Sequence, residues 1–299
     1  MKKATSSCYG INSSCIKQID SSTFLVTQRF SREEYPFLSD HTVNGECLFP
    51  GAMMLELMAE CGNVILPADG PIIMENFRIL RPVRISGATV LKLYARIESE
   101  GIQMSLCADF VKSGQVIRKD IVYAESFYTV GSIDTDIDRD IFHDENVRCF
   151  SLDAKDIYFR DFMQSGPFYH GLGKELCFSE THFQGSIGNS PGNCDYLVEP
   201  IIIDNCFQLG NIGTGIVNGY AGLPVGMDRL CFINKLPGQK AYCYGMVKKF
   251  EDQAVIQNFI VCDEFDTVIL SASGVRQHYI GRFNFDVMNH ILKAHERTM

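Results

Sequence analysis

A chain of 299 residues stands at the upper size of one large domain or makes two of medium size, so a repeat of two similar halves is the first pattern to seek. With 46% hydrophobic and 21% charged residues and a mean hydropathy of zero, the chain is neither disordered nor fibrous. A net charge of −9 without a run of basic residues speaks against nucleic acid as a partner, and no uncharged apolar run of about 18 residues is present to span a membrane. The twelve cysteines include no C-x-x-C pair and read as small buried thiols of a reducing compartment. The start, MKKATSSCYGINSSC, lacks the apolar stretch of a secretory signal, so the expected location is cytoplasmic. The chain opens on methionine and ends in a polar tail, as a freestanding enzyme does and an excised domain also can.

After a polar leader of about twenty residues, FLVTQRF at 24–30 alternates as a strand should, and a polar and aromatic turn leads to Asp40 and His41. Pro50-Gly51 then opens a helix with Met54, Leu55, Met58, Cys61 and Ile65 at helical spacing. Between 71 and 130 lie four strand-like runs parted by short turns at Gly87, Gly101 and Gly114, and turns so short imply antiparallel pairing. The acidic stretch SIDTDIDRDIFHD has no core pattern and reads as a linker over 132–145. The plan then repeats: a strand over about 175–182, a polar glycine-rich loop, a second apolar helix from near Ile203, and four more strand runs. A helix apolar on most faces must be enclosed, and a curved sheet encloses it. The expected fold is therefore α+β and pseudo-dimeric, with halves at 20–131 and 146–282 and a tail at 283–299, where Phe285, Met288 and Leu292 stand near helical spacing.

The segment running into the first helix contains His41-x-x-x-Gly45-x-x-x-x-Pro50-Gly51. It resembles the H-x-x-x-G-x-x-x-x-P-G motif of polyketide synthase dehydratase domains, double-hotdog relatives of the 3-hydroxyacyl dehydratases of fatty-acid synthesis. Three further segments are similar to the same family in the same order: SGPFYHGL with Gly166, Pro167 and Tyr169, then EPIIIDNCFQLG with Asp204 and Gln208, then LPVGMDRL. Ser165 departs from the family's tyrosine before Gly-Pro, and Glu199 from its histidine before the second proline. The resemblance implies a double hotdog, Asp204 as catalytic acid, and Gly166, Pro167 and Tyr169 along a substrate tunnel.

Loss of water from a 3-hydroxyacyl thioester needs a base for the α-proton and an acid for the departing hydroxyl, both on one side of a mostly dry tunnel. Histidine titrates near working pH, which suits His41 as the base. An aspartate donates only where apolar surroundings hold its proton on, and Asp204 follows Ile201, Ile202 and Ile203 and precedes Phe207. Pro50-Gly51 places free N–H groups of a helix N-terminus beside the histidine loop, where Gly51 can face the charge gathering on the thioester oxygen. Gln208, one helical turn beyond Asp204, can orient its carboxyl group.

No glycine-rich nucleotide fingerprint or metal-spaced histidine appears, so no cofactor is expected. His143, His170, His182, His278, His290 and His295 read as surface or structural. The implied partner is an acyl carrier protein bearing the substrate on phosphopantetheine, with other synthase modules and a homodimer as further possibilities. The densest cationic group is Arg78, Arg81 and Arg84, with Arg276 and Arg282 in the second half, the expected landing for an acidic carrier. Three alternatives stay open: double-bond isomerisation, closure of an oxygen ring by oxa-Michael addition, and a non-catalytic acyl-binding module.

Overall fold

The structure is a computed structural model that describes residues 11, 15–67, 70–112, 114–131, 140–142, 144, 147–151, 165–188, 196–235 and 240–282. The first half contains β1 (Ile16–Gln18), β2 (Thr23–Phe30), a two-residue hairpin of β3 (Thr42–Val43) and β4 (Glu46–Cys47), α1 (Gly51–Ile65), and then β5 (Ile72–Ile79), β6 (Thr89–Ile97), β7 (Ile102–Lys112) and β8 (Gln115–Val130). The second contains β9 (Arg148–Ser151), β10 (Leu172–Phe178), β11 (His182–Gly188), α2 (Pro200–Asn218), and then β12 (Tyr220–Phe232), β13 (Lys240–Phe250), β14 (Ala254–Asp263) and β15 (Val268–Arg282).

All strands but β3 and β4 join one antiparallel sheet of 13 strands in the order β1-β2-β6-β7-β8-β5-β12-β15-β14-β13-β11-β10-β9. The halves meet where β5 pairs β12, with Met74 opposite Leu230 and Phe77 opposite Met227. Each helix lies against the sheet of its own half, and α1 touches α2. Every residue of α1 from Ala52 to Gly62 is buried, as is every residue of α2 from Pro200 to Gly210. A helix with no wet face has to be wrapped, and two wrapped helices side by side are the double hotdog.

Several elements depart from the sequence reading. The run expected as one strand over 175–182 is the end of β10 and a turn at 179–181, after which β11 begins; the turn is closed by Ser179 Oγ accepting His182 N–H, without glycine or proline to mark it. The second helix starts at Pro200 rather than near Ile203, using proline at its first position. β12 starts directly after Gly219 and absorbs Pro224 through register shifts between Ala221 and Gly226. Asp140–Phe142 forms a 3-10 turn inside the expected linker, and Phe142 is buried with Ile260, Cys262 and Val268, so the linker does carry a core residue. Most of that linker, the tail with Phe285, Met288 and Leu292, and His143, His290 and His295 lie outside the described residues.

The thiol reading fails at one pair. Cys149 of β9 and Cys177 of β10 stand directly opposite each other and form a disulfide, and no other disulfide joins two described cysteines. Residues 28 apart on two strands give no local spacing signal, and only the register brings them together. Among the described residues no helix is long and apolar enough to cross a membrane.

Candidate active site

His41 follows the 3-10 turn Pro36–Asp40 and leads into the β3–β4 hairpin. Asn44 and Gly45 both have positive φ, 51° and 78°, the pair of left-handed residues a tight type I′ turn demands. The register Thr42↔Cys47 and Val43↔Glu46 then sets His41 opposite Leu48. Leu48 N–H donates to the His41 carbonyl at 3.0 Å, and His41 Nδ1 lies 3.0 Å from the Leu48 carbonyl. A carbonyl only accepts, so Nδ1 carries the proton and Nε2 of the neutral ring keeps its lone pair free. The interval from His41 to Gly45 is thus the reach of one hairpin arm, and the remaining residues bring the chain to Pro50, where α1 begins.

A second segment closes on the histidine from the other half. Ser165 bridges His41, Gly166 N–H donates to the Asp40 carbonyl at 2.6 Å, and Phe168 N–H donates to Asp40 Oδ2 at 2.9 Å. A Cβ on Gly166 would overlap the Asp40 carboxylate, which accounts for the glycine. The fully buried Tyr169 meets the His41 ring edge to face at 5.5 Å, and its hydroxyl has no hydrogen-bond partner among the described residues. Gly171 N–H then donates to Asn205 Oδ1 on α2 at 3.1 Å. Asp40 and Asn205 were not visible as functional in the sequence, because each acts through main-chain bonds to residues far along the chain; the only signal for Asp40 is its place before the histidine.

Asp204 stands on the second turn of α2 and is buried. Gln208 Nε2 donates to Asp204 Oδ2 at 2.7 Å and to the Tyr169 carbonyl at 3.1 Å, tying the acid to the 165–171 segment. Burial pushes the Asp204 carboxyl above the usual carboxylate range, while His41 and the Gln208 amide hold it down in part.

His41, Asp204, Gly51, Gln208 and Ser165 line one cavity of about 880 Å³, with Met54, Phe77 and Phe207 giving it an apolar wall. That volume is in the range of a site for an elongated small molecule. Gly51 is the first residue of α1, whose leading N–H groups have no partner within the helix. Gly45, Pro50, Gly166, Pro167 and Tyr169 are not among the lining residues. The last three were expected along the tunnel; their segment reaches the cavity through Ser165, with Tyr169 packed behind His41. The exposed Arg78, Arg81, Arg84 and His278 and the half-buried Arg276 mark the mouth. Among the described residues only Cys149, Glu175 and Cys177 bring potential metal ligands together, away from the cavity and with both sulfurs in the disulfide.

A second buried acid, Glu56 on α1, titrates near 8: burial pushes it up, the N–H groups of Leu197 and Val198 hold it down, and Glu60 and Glu199 raise it. Between its ordinary value of 4.5 and about 8 the folded chain keeps a proton that the unfolded chain releases, so stability falls as pH rises through that window and levels off above it. Asp204 acts in the same direction. Urea unfolding is expected to give a lower free energy at pH 8 than at pH 5, by a few kcal/mol at most, and Glu56→Gln should remove most of that slope. An unchanged slope in the variant would assign the proton elsewhere.

Comparison with known proteins agrees with this geometry. A model described as polyketide synthase dehydratase domain matches residues 13–108, and one described as polyketide synthase dehydratase N-terminal domain matches residues 172–283. The chain belongs to the polyketide synthase dehydratase domain family. It is similar in fold to the dehydratase domain from the CurJ module of the curacin polyketide synthase, with 16% identity, a TM-score of 0.73, and coverage of 89% of this chain and 94% of that one. It is also similar to the dehydratase domain of a mycocerosic acid synthase-like polyketide synthase, with 19% identity, a TM-score of 0.70, and coverage of 88% and 94%. Two curated relatives are 25% identical over 182 residues, 58% of this chain: a type I phenolphthiocerol synthesis polyketide synthase of Mycobacterium tuberculosis, whose name carries the words "putative inactive", and a phenolphthiocerol synthesis polyketide synthase type I of Mycobacterium bovis. The chain spans 11% and 8% of their lengths.

Proposed function

We propose that this domain removes water from a 3-hydroxyacyl thioester, carried on the phosphopantetheine arm of an acyl carrier protein, to give the 2-enoyl thioester during polyketide synthesis. The observation that carries the reading is one cavity lined both by a histidine whose Nδ1 is bonded to the Leu48 carbonyl, leaving Nε2 to act, and by a buried aspartate whose carboxyl burial pushes above the usual carboxylate range. His41 Nε2 takes the α-proton, and the electron pair of that C–H bond moves toward the thioester carbonyl. The oxygen that gathers charge is met by the N-terminal N–H groups of α1 at Gly51. The pair then closes the α,β double bond as the β-carbon to oxygen bond breaks, and Asp204 gives its proton to the departing hydroxyl, which leaves as water. His41 ends protonated and Asp204 ionised, and proton exchange with solvent resets both. Gln208 orients the acid, and Gly45 and Pro50 hold the histidine arm. No resident cofactor enters the scheme.

Two relatives support the choice of residue types: a histidine-to-phenylalanine variant of the CurJ dehydratase and an aspartate-to-asparagine variant of the CurK dehydratase are both described as inactive mutants. The domain is read as working in the cytoplasm beside other synthase modules. The test is incubation with a 3-hydroxyacyl pantetheine thioester and mass analysis of the product. A thioester lighter by one water is expected. Unchanged substrate from folded protein overturns the reading, and a ring-closed product of unchanged mass from a hydroxy-enoyl thioester replaces it with the cyclase alternative.

Carrier docking follows from charge at the cavity mouth. Arg84 is paired with Glu46 at 2.7 Å and Arg276 with Glu251, whereas Arg78 and Arg81 have no carboxylate partner among the described residues. At the mouth these two are the cations left to meet an acidic carrier against a net charge of −9, while the exposed Arg282, expected in the same landing, does not line the cavity. Reversing both to glutamate is expected to raise KM for a carrier-bound substrate roughly tenfold at low salt and to leave a small pantetheine thioester unaffected. Equal losses on both substrates would count against a docking role.

A further inference from the structure

The proposed chemistry leaves one fully buried acid unused. Glu56 has no exposed surface, and both its carboxyl oxygens are engaged: Oε1 accepts Leu197 N–H at 2.6 Å and Oε2 accepts Val198 N–H at 2.8 Å. Those residues stand just ahead of Pro200, where α2 begins, and Asp204 follows on the same helix. One side chain of α1 therefore grips the entry of the helix that carries the acid.

The repeat gives this grip its meaning. The single residue offset that maps β5 at Ile72 onto β12 at Tyr220 also maps Glu56 onto Asp204 and Glu60 onto Gln208. Each acid lies on the helix of one half and looks toward the chain entering the helix of the other. Asp204 meets the imidazole of the segment leading into α1; Glu56 meets two main-chain N–H groups of the segment leading into α2. Glu56 is absent from the cavity lining. The pseudosymmetric counterpart of the acid is thus spent on holding backbone.

The backbone it holds is strained. Glu199, next in the chain, has φ of 53° and ψ of 62°, a left-handed conformation that costs a non-glycine residue energy and persists only where its surroundings enforce it. Its carbonyl accepts Ile203 N–H at 3.1 Å, so that conformation sets the first turn of α2. Two N–H bonds to one carboxyl group, one residue upstream, supply the enforcement, since paired bonds fix direction as well as distance.

We propose that Glu56 is a positioning residue: a two-point clasp from α1 that fixes the entry of α2, and through it the placement of Asp204 relative to His41 and Gly51. This role rests on the dehydratase reading for the reaction it serves, although its geometry can be measured without turnover. Glu56→Gln keeps the volume but turns an amide NH₂ toward a backbone N–H, breaking one arm of the clasp. Glu56→Asp keeps two acceptor oxygens on a shorter arm.

The experiment pairs carboxyl-carbon NMR titration of Asp204, identified by the signal lost in Asp204→Asn, with steady-state kinetics on a 3-hydroxyacyl pantetheine thioester. In folded Glu56→Gln, loosening of the α2 entry admits water to Asp204, so its titration should fall by about one pH unit. Turnover should fall about tenfold with KM within about twofold, and Glu56→Asp should recover part of both. A folded Glu56→Gln in which Asp204 titrates as in the wild type overturns the proposal, and so does a shifted Asp204 with unchanged kcat. If the wild type itself shows no dehydration, the functional reading fails, and the Asp204 titration alone decides whether Glu56 places the acid.

Discussion

His41→Ala should lower turnover of a 3-hydroxyacyl pantetheine thioester by ~10²–10⁴ while leaving the fold intact, the usual worth of a positioned proton acceptor. The fold survives because the hairpin around His41 is held by main-chain bonds: Leu48 N–H to the His41 carbonyl, and Gly166 N–H to the Asp40 carbonyl. What is lost is the ring, its Nδ1 bond to the Leu48 carbonyl, and its contact with Tyr169. Removing the imidazole also takes away a group that holds the Asp204 carboxyl down, so Asp204 should titrate higher in the variant. Circular dichroism and initial rates measured together check the prediction, and a rate within tenfold of wild type would remove His41 from the chemistry.

Asp204→Asn is expected to cost a similar factor for a different reason. The asparagine fits the same space, and Gln208 Nε2 can still donate to its side-chain oxygen, so α2 and the 165–171 segment stay joined through the Tyr169 carbonyl. Asparagine has no proton to give to the departing hydroxyl. The pH profile carries the more specific signature. In the wild type, activity should fall as pH rises through the elevated titration of Asp204, because the ionised form cannot act as acid. That basic limb should be missing from whatever activity the asparagine variant keeps. A limb that survives unchanged would belong to another group.

The fold was legible in the sequence wherever hydrophobic pattern and turn chemistry agreed. The four strands after α1 are bounded by Gly87, Gly101 and Gly114, and both helices stand out because apolar residues recur at helical spacing over most of their faces. Legibility failed where punctuation was absent or misleading: the turn between β10 and β11 has no glycine or proline, and Pro224 disguises a strand that tolerates it through a register shift. The β3–β4 hairpin carries the Asn44-Gly45 signal, but two-residue strands are too short to alternate visibly.

In the site, the motif residues His41, Gly51, Asp204 and Gln208 converge on one cavity, because their spacing follows from local geometry that a single hairpin and a single helical turn impose. The groups that aim them were not legible. Asp40, Asn205 and Glu56 bond to main chain 128, 34 and 141 positions away, and nothing in a local pattern reports such a partner. The disulfide between Cys149 and Cys177 escaped for the same reason, since only the β9–β10 register makes the two cysteines neighbours.

In the proposed reaction one base and one acid, contributed by different halves of the chain, act together on a single substrate. A double-mutant cycle tests it directly, with rates of water loss from a 3-hydroxyacyl pantetheine thioester measured for wild type, His41→Ala, Asp204→Asn and the double variant. Groups that work as one unit give strongly non-additive losses, so the double variant should be about as slow as the slower single variant. Losses that multiply in full, with the double variant slower by the product of the two single effects, would mean that His41 and Asp204 act independently and would contradict the account.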